Sequence, residues 1–420
     1  MRRPLYGWLS AEAISLLGTR ISMVALPWFV LTTTGSPVKT GLVALAEMLP
    51  MVLLKVLGGP VIDRVGARRV AITCDVGSLV VVGSIPVLYD AGWLSFGGFL
   101  ALVAVAGALR GPGDGAKQAM VPQLVAAAEL PMERVTGLSA TVERTASMIG
   151  TAAAGVLIAA VGPANALVVD AATFGLSALV LAWATVPLRG TPVDAAHPAE
   201  GPSPDEGSYR TRLAEGWRFL HGDRLLLGIA VMVALTNLLD LAYASVLLPV
   251  WADDTGRGAA AVGLVFAVFA GASALGSACA AAWAARLPRY TTYLVAFLLC
   301  GAPRFVVLAL DAPVAAVLAV CVVAGFASGF LNPVLGAVIF ERIPAPLVGR
   351  VTSLTTAMCF ALMPLGGLLG GALVGWLGLS AALVVVGAAY FLITTAPALD
   401  PTWREMDQRP DPGRVPEHAS

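Results

Sequence analysis

Twelve apolar runs, each long enough to cross a lipid bilayer as a helix, constrain this chain more than any other feature of its sequence. A hydrocarbon core about 30 Å thick needs about 20 predominantly apolar residues in helical form, because every backbone N–H and C=O must find its partner inside the segment. Such runs cover residues 6–33, 41–61, 71–90, 97–121, 135–161, 164–187, 225–251, 261–285, 291–310, 313–340, 351–377 and 379–399. Of the 420 residues 58% are hydrophobic and 12% charged, where a soluble protein carries roughly a quarter charged. A soluble globular enzyme is thereby excluded. The formal net charge of zero lacks the basic excess of a nucleic-acid binder, so no nucleic-acid partner is implied.

The runs divide six and six around one long polar stretch, 188–224, rich in Pro, Gly, Asp and Glu from Pro192 to Gly207. It reads as a flexible linker between two halves. The expected organisation is a six-helix bundle over 1–187, the linker over 188–224, a second bundle over 225–399 and a tail over 400–420. Met1-Arg2-Arg3 opens the chain, but the apolar run behind it continues past Val30 without a small-residue cleavage site, so it reads as an uncleaved first span rather than a signal peptide. With the N-terminus in the cytoplasm, 18 of the 26 Lys and Arg fall in cytoplasmic segments, six in spans, and Lys39 and Arg257 outside. The positive-inside rule then predicts both termini in the cytoplasm. Just before the seventh span, Tyr209, Leu213, Trp217 and Leu220 follow helical spacing with Arg210, Arg212 and Arg218 between them, which predicts an amphipathic helix on the inner membrane surface.

An internal repeat sharpens the division. Arg134-Val135-Thr136-Gly137-Leu138-Ser139 recurs as Arg350-Val351-Thr352-Ser353-Leu354-Thr355, 216 residues later, and Gly150, Gly155 and Gly162 fall on Gly366, Gly371 and Gly378 at the same offset. Gly41-Leu42-Val43 likewise matches Gly263-Leu264-Val265, aligning Arg64 with Arg286. Six spans separate the copies, an even number, so the halves are parallel repeats of one orientation. The fold class expected is an all-α membrane protein with twelve transmembrane helices in two parallel six-helix repeats.

After the second span stands Gly59-x-x-x-Asp63-Arg64-x-Gly66-x-Arg68-Arg69. Gly59 permits close helix packing and Gly66 a tight turn, the cations anchor the loop at an anionic leaflet, and Asp63 can pair with an arginine or a helix N-terminus. This segment closely resembles the signature between helices two and three of the major facilitator superfamily, and the resemblance extends over the whole chain. Leu213-Ala214-Glu215-Gly216-Trp217-Arg218-Phe219-Leu220, Val169-Asp170-Ala171-Ala172-Thr173-Phe174 and Pro346-Leu347-Val348-Gly349-Arg350-Val351 are similar to pieces of its drug:proton antiporter branch, which includes macrolide and enterobactin exporters. Two features depart from that pattern. The fifth span has Gly150-Thr151 and later Gly155 in place of a Gly-Pro pair followed by Gly-Gly, and Ala285 stands where Asp63 stands in the first half. The resemblance implies that Asp63 and its arginines form a cytoplasmic gate that holds the two halves together in the outward-facing state.

Charges at membrane depth cost about 2.5 to 3.5 kcal/mol each near a helix centre even on low estimates, so each must face a partner or a wet cavity. The spans hold Glu12, Arg20, Glu47, Lys55, Arg110, Asp114, Lys117, Glu143, Arg144, Asp170, Asp240, Arg304 and Glu341. Arg110, Asp114 and Lys117 share one helical face by their spacings of four and three, a face that suits a central cavity. Glu341, Lys117 and Asp75 read as boundary charges near the inner surface, and Asp170 and Glu47 as structural groups nearer the outer side. Glu12, Asp114, Glu143 and Asp240 remain as candidates for proton or substrate handling, with Arg110 as the cationic partner of one acid in the first half. The three histidines, His197, His221 and His418, lie in polar stretches, so a buried proton carrier has to be a carboxylate. A carboxylate in a poorly hydrated cavity holds protons more tightly and a nearby arginine loosens them, so alternating access can load and release one.

Met and aromatic side chains such as Trp28, Phe29, Met48, Met51, Met232, Phe266, Phe269 and Met358 can line an adaptable apolar pocket, or simply pack the helices. Pro27, Pro50, Pro333 and Pro364 mark kinks or breaks inside spans. Cys74, Cys279, Cys300, Cys321 and Cys359 stand singly in apolar runs, without metal-site spacing. None of the lysines, Lys39, Lys55 and Lys117, follows a glycine, which excludes a phosphate-binding Gly-x-x-x-x-Gly-Lys loop and an ATP-driven pump. No metal, cofactor or enzymatic nucleophile is called for. The function expected is proton-coupled efflux of small hydrophobic or amphiphilic compounds by a monomer, its partners being the small-molecule substrate, protons and membrane lipids. An importer or facilitator of the same fold stays open. Ala- and Arg-rich, Lys-poor usage places the chain in the plasma membrane of a high-GC bacterium.

Overall fold

The structure is a computed structural model that describes residues 3–186, 209–283, 286–344 and 347–407. Much of the linker and the end of the tail, with Ala285 and His197, lie outside the described residues. All regular elements among the described residues are helices. The first repeat comprises α1 (Arg3–Thr34), α2 (Pro37–Leu57), α3 (Gly59–Val65), α4 (Ala67–Asp90), α5 (Phe96–Ala119), α6 (Val121–Ala128) and α7 (Met132–Ala184). After it come α8 (Tyr209–Gly222), α9 (Arg224–Ala242), α10 (Leu248–Asp254), α11 (Gly258–Trp283), α12 (Arg289–Cys300), α13 (Ala302–Ala309), α14 (Val314–Arg342), α15 (Val348–Ala361), α16 (Leu365–Leu377) and α17 (Leu379–Thr395).

Local chemistry sets many of the boundaries. Ser36 caps α2, its hydroxyl accepting from the Lys39 N–H at 3.3 Å, with Pro37 at the first helical position. Ser95 does the same for α5 through the Gly98 N–H at 3.1 Å. Eleven described stretches are long and apolar enough to cross a membrane. One of them, Arg134–Ala184, has 51 residues, far more than the roughly 20 that one crossing uses. It reverses at Gly162, whose φ of 83° and ψ of 161° are closed to residues with a Cβ. Counted on both sides of that turn, the chain makes twelve crossings. The equivalent Gly378 between α16 and α17 has φ 79° and ψ 166°, so the repeat read from sequence is also a repeat of backbone geometry.

Two compact units emerge. The first contains Met1–Glu206, Leu238–Ala270 and Ala361–Leu383, and the second Gly207–Asn237, Gly271–Phe360 and Val384–Ser420. Within the first, the repeats meet through glycine in a reciprocal pattern. Gly155 of α7 lies against Gly263 of α11, while their counterparts Gly371 of α16 and Gly41 of α2 meet Pro37 and Gly367. A Cβ at any of these four positions would strike the facing backbone, so the seam exists because the side chains are absent. Leu5, Trp8, Ala71, Met120, Leu124, Val135 and Leu181 form a buried core of the first unit. In the second, Leu220, Leu226, Ile343 and Val351 are buried together.

Prolines divide by effect. Pro27, Pro50 and Pro333 sit within continuous helices, whereas Pro364 separates α15 from α16. The sequence reading missed two irregularities. A π-turn at Tyr243–Leu247 precedes Pro249, which has no N–H to continue the ladder. Gly301, with Pro303 behind it, divides α12 from α13.

Candidate functional site

The loop after α2 is built from a short helix and a glycine at positive φ. α3 carries Asp63 and Arg64 and ends at Gly66, where φ is 93° and the Gly66 N–H donates to the Ile62 carbonyl at 2.9 Å. Asp63, Arg64 and Arg69 are exposed, and Asp63 makes no ion pair among the described residues. Arg68 turns inward: its Nε donates to Thr185 Oγ1 at 2.8 Å and its Nη2 to the Ala182 carbonyl at 2.7 Å, fastening the start of α4 to the end of α7. Close packing does not fall on Gly59, which has open space around it, but on Gly58, beside Pro112 of α5.

Deeper in the first unit, Gly107 and Gly111 let α5 lie directly on the backbone of α2 at Glu47 and Met51. That approach delivers Arg110 to Glu47, with Nη1 to Oε1 at 2.5 Å and each residue only 6% exposed. Arg110 also lies over the Phe174 ring, 5.5 Å from its centroid. Glu47 is thus a paired structural acid, and the acid that Arg110 engages is Glu47 rather than Glu12, Asp114 or Glu143. Beside them Asp170 is fully buried and accepts a hydrogen bond from the Ser22 hydroxyl.

Seven residues along α5 from Arg110, Lys117 enters a second buried network. Its Nζ meets Asp75 Oδ1 at 3.1 Å and donates to Ser15 Oγ at 2.8 Å, and Ser177 Oγ donates to Asp75 Oδ2 at 2.7 Å. The Trp8 indole closes the site by donating to the Lys117 carbonyl at 3.1 Å. Lys117 is 2% and Asp75 3% exposed, which corrects the reading of both as boundary charges. Four helices supply the acid, the cation and the two hydroxyls, a convergence that no local spacing announces. Glu341, by contrast, forms an exposed bidentate pair with Arg289 at 2.6 and 2.7 Å.

Glu12 is half-buried on α1, and its Oε2 atom is buried without a hydrogen-bond partner. The charges that act on it are Lys117, Asp114, Asp75 and Glu143. Asp114 in turn feels Lys117, Lys55, Arg110 and Asp75, while Arg20 feels Glu143, Asp114 and Arg110. Gly150 of α7 packs on the stem of Arg20 and holds it in place. Three of the four acids singled out in the sequence therefore share one electrostatic neighbourhood with Lys117, read there as a boundary charge, and with Arg20. The fourth, Asp240, is half-buried near the end of α9, just before the π-turn that begins at the buried Tyr243.

In the second unit Asn237 donates to the Cys359 carbonyl at 2.9 Å. Helix α8 packs through Gly216 on Leu354 and Arg350, with Glu215 and Arg350 paired at 2.7 Å and Trp217 46% exposed.

Comparison with known proteins gives the same architecture. The chain is 30% identical over 416 residues to the Multidrug efflux pump Tap of Mycobacterium tuberculosis, covering 97% of this chain and 96% of that one. It is 28% identical over 413 residues to the Multidrug efflux pump Tap of Mycolicibacterium fortuitum, covering 97% and 98%. Among solved structures, the nucleoside transporter NupG superposes with a TM-score of 0.74 at 13% identity, covering 97% of this chain and 99% of that one. A bacterial homologue of the iron transporter ferroportin gives 0.70 at 14%, covering 97% and 99%. Such identities carry the fold alone. The family model for the Major Facilitator Superfamily matches residues 8–244 and again 230–418, two matches that together cover nearly the whole chain. With twelve crossings, parallel repeats and a model matched twice, this multi-pass membrane protein belongs to the Major Facilitator Superfamily.

Proposed function

We propose that the chain exports small hydrophobic or amphiphilic compounds, drugs or secondary metabolites, in exchange for protons entering the cell. The observation that carries the coupling is Glu12: a carboxylate half-buried in a bundle, with one oxygen buried and without a hydrogen-bond partner, set among Lys117, Asp114, Asp75 and Glu143. An acid so placed binds a proton whenever its cation, Lys117, turns elsewhere and gives it up when that cation returns. Likeness to efflux pumps along nearly the whole chain supports outward movement of the cargo. The gate role of Asp63, Arg64, Gly66, Arg68 and Arg69, with Gly59 at its start, belongs to the same reading, as do the bundles over 1–187 and 225–399, the linker over 188–224 and the tail over 400–420.

The machine works as a monomer in a bacterial plasma membrane with both termini inside, the placement that sets 18 of 26 cationic side chains in the cytoplasm. One proton moving inward gains about 2.3 kcal/mol per 100 mV and about 1.4 kcal/mol per pH unit. Together these concentrate a solute more than about tenfold. The test is efflux from proteoliposomes loaded with a dye or antibiotic under an imposed pH gradient. Export that a protonophore abolishes supports the reading, and uptake indifferent to the protonophore would replace it with a facilitator.

A further inference from the structure

The Val169-Asp170-Ala171-Ala172-Thr173-Phe174 segment has a site of its own. Asp170 and Glu47 are two carboxylates, 0% and 6% exposed, and the guanidinium of Arg110 lies among them, 6% exposed. Arg110 is in contact with Glu47 at 2.5 Å, whereas Asp170 lies beyond ion-pair distance and acts on Arg110 through space. Asp170 Oδ2 is taken by the Ser22 hydroxyl, but Oδ1 is buried and has no partner. The Nε of Arg110 is likewise buried and unused. The charged groups acting on Asp170 are Arg110 of α5 and Glu47 of α2, with Ser22 of α1 as its hydrogen-bond donor. Arg20, the next cation along α1, acts instead with Glu143 and Asp114.

Two fully desolvated carboxylates cannot both stay ionised around one guanidinium already committed to one of them, because an uncompensated buried charge is far costlier than a neutral acid. We propose that Asp170 is a proton-binding site of the transport cycle: it carries a proton on Oδ1 while Arg110 engages Glu47, and when Arg110 turns to Asp170 that proton leaves Oδ1 and Glu47, now without its cation, takes one up. A single cation with two alternative partners then converts a helix movement into the passage of one proton between two buried acids. The Phe174 ring, one turn beyond Asp170 and beneath the guanidinium, gives Arg110 a surface on which to move without leaving its cation–π contact.

This rests on the proton-driven reading above, yet its test is independent of transport. Infrared difference spectra of the full chain in liposomes, recorded against pH and in heavy water, show a protonated buried carboxyl as a C=O stretch apart from the amide band. In the unaltered protein such a band from Asp170 is expected near neutral pH, apart from any that Glu12 contributes. Asp170→Asn removes it, because the remaining Glu47 is balanced by Arg110. Glu47→Gln removes it as well, because Arg110 is then free to pair with Asp170. Asp170→Glu keeps the band at a shifted frequency and guards against misfolding in the asparagine variant. A spectrum from which Asp170→Asn removes no band, or in which the band lost there persists in Glu47→Gln, overturns the proposal. Should a protonophore leave efflux untouched while the band behaves as described, the coupling reading fails and the proton site stands.

Discussion

Removing one partner of the Lys117–Asp75 pair tests how much of the first unit depends on buried charge. Lys117→Met keeps the length and the apolar stem but deletes the ammonium that contacts Asp75 at 3.1 Å and Ser15 at 2.8 Å. Asp75, 3% exposed, then keeps only the Ser177 hydroxyl. Stranding one member of a buried pair costs about 3 to 5 kcal/mol, because it leaves an uncompensated buried charge on Asp75. Replacing both members by apolar residues of similar volume, Lys117→Met with Asp75→Leu, removes the stranded charge along with its partner, and stability returns to within about 1 kcal/mol of the original or exceeds it. The assay is reversible unfolding in mixed micelles by a denaturing detergent, followed by helical circular dichroism and closed as a double-mutant cycle. The reasoning fails if Lys117→Met costs less than about 1 kcal/mol, or if the two single losses simply add. Efflux by the double variant supplies a second reading: a bundle that is stable and inactive shows that the pair serves transport rather than assembly.

Three further outcomes follow from the geometry. Gly263→Val places a side chain against Gly155 Cα, so efflux falls by at least about tenfold while the amount in the membrane is kept, since overpacking costs about 1 to 3 kcal/mol; unchanged efflux would refute the glycine seam. Arg68→Gln loses the bonds to Thr185 and the Ala182 carbonyl and lowers stability by about 2 kcal/mol in the same unfolding assay, a larger loss than Arg69→Gln, whose side chain is exposed. Asp63→Asn, at an exposed position without an ion pair among the described residues, lowers efflux without lowering stability, and normal transport by this variant would count against the gate.

Fold and repeat were legible because both leave periodic traces. Apolar runs of bilayer length can form only helices, and the offset that aligns Gly162 with Gly378 marks two turns with nearly the same dihedral angles. The turn at Gly66 and the engagement of Arg110 by an acid of the first half were legible for the same local reasons. Which acid it was could not be read. Glu47 reaches Arg110 because Gly107 and Gly111 bring two helices to backbone contact, a fact of tertiary packing. Asp75 and Lys117 looked like boundary charges because their depth depends on how α4, α5 and α7 cross, and the Ser177 and Ser15 hydroxyls that receive them are silent in a hydropathy profile. Gly59 was read as the packing glycine of its motif, yet its neighbour Gly58 makes the contact, an ambiguity of one residue that only the path of the chain resolves.

The duplication also provides an internal control on what the buried charges are for. Gly107 and Gly329, 222 residues apart, each let one helix rest on the backbone of another, α5 on α2 and α14 on α11. Carried along that offset, Glu47 falls on Phe269, Asp75 on Phe297, Arg110 on Asn332, Asp114 on Gly336 and Lys117 on Ile339, and at the offset of 216 Asp170 falls on Val386. Phe297 and Val386 are as buried as the acids they replace, at 4% and 1% exposure, and Phe297 packs edge-on against Tyr293 at 4.9 Å. One backbone plan therefore closes with apolar contacts in one copy and with ion pairs in the other. Since apolar packing satisfies the bundle without the desolvation penalty, the charges of the first repeat are not a requirement of its fold. What they add is two cations, each paired with one acid and acting through space on others, and on the coupling proposed above such alternative partners are what a moving helix exchanges for a proton.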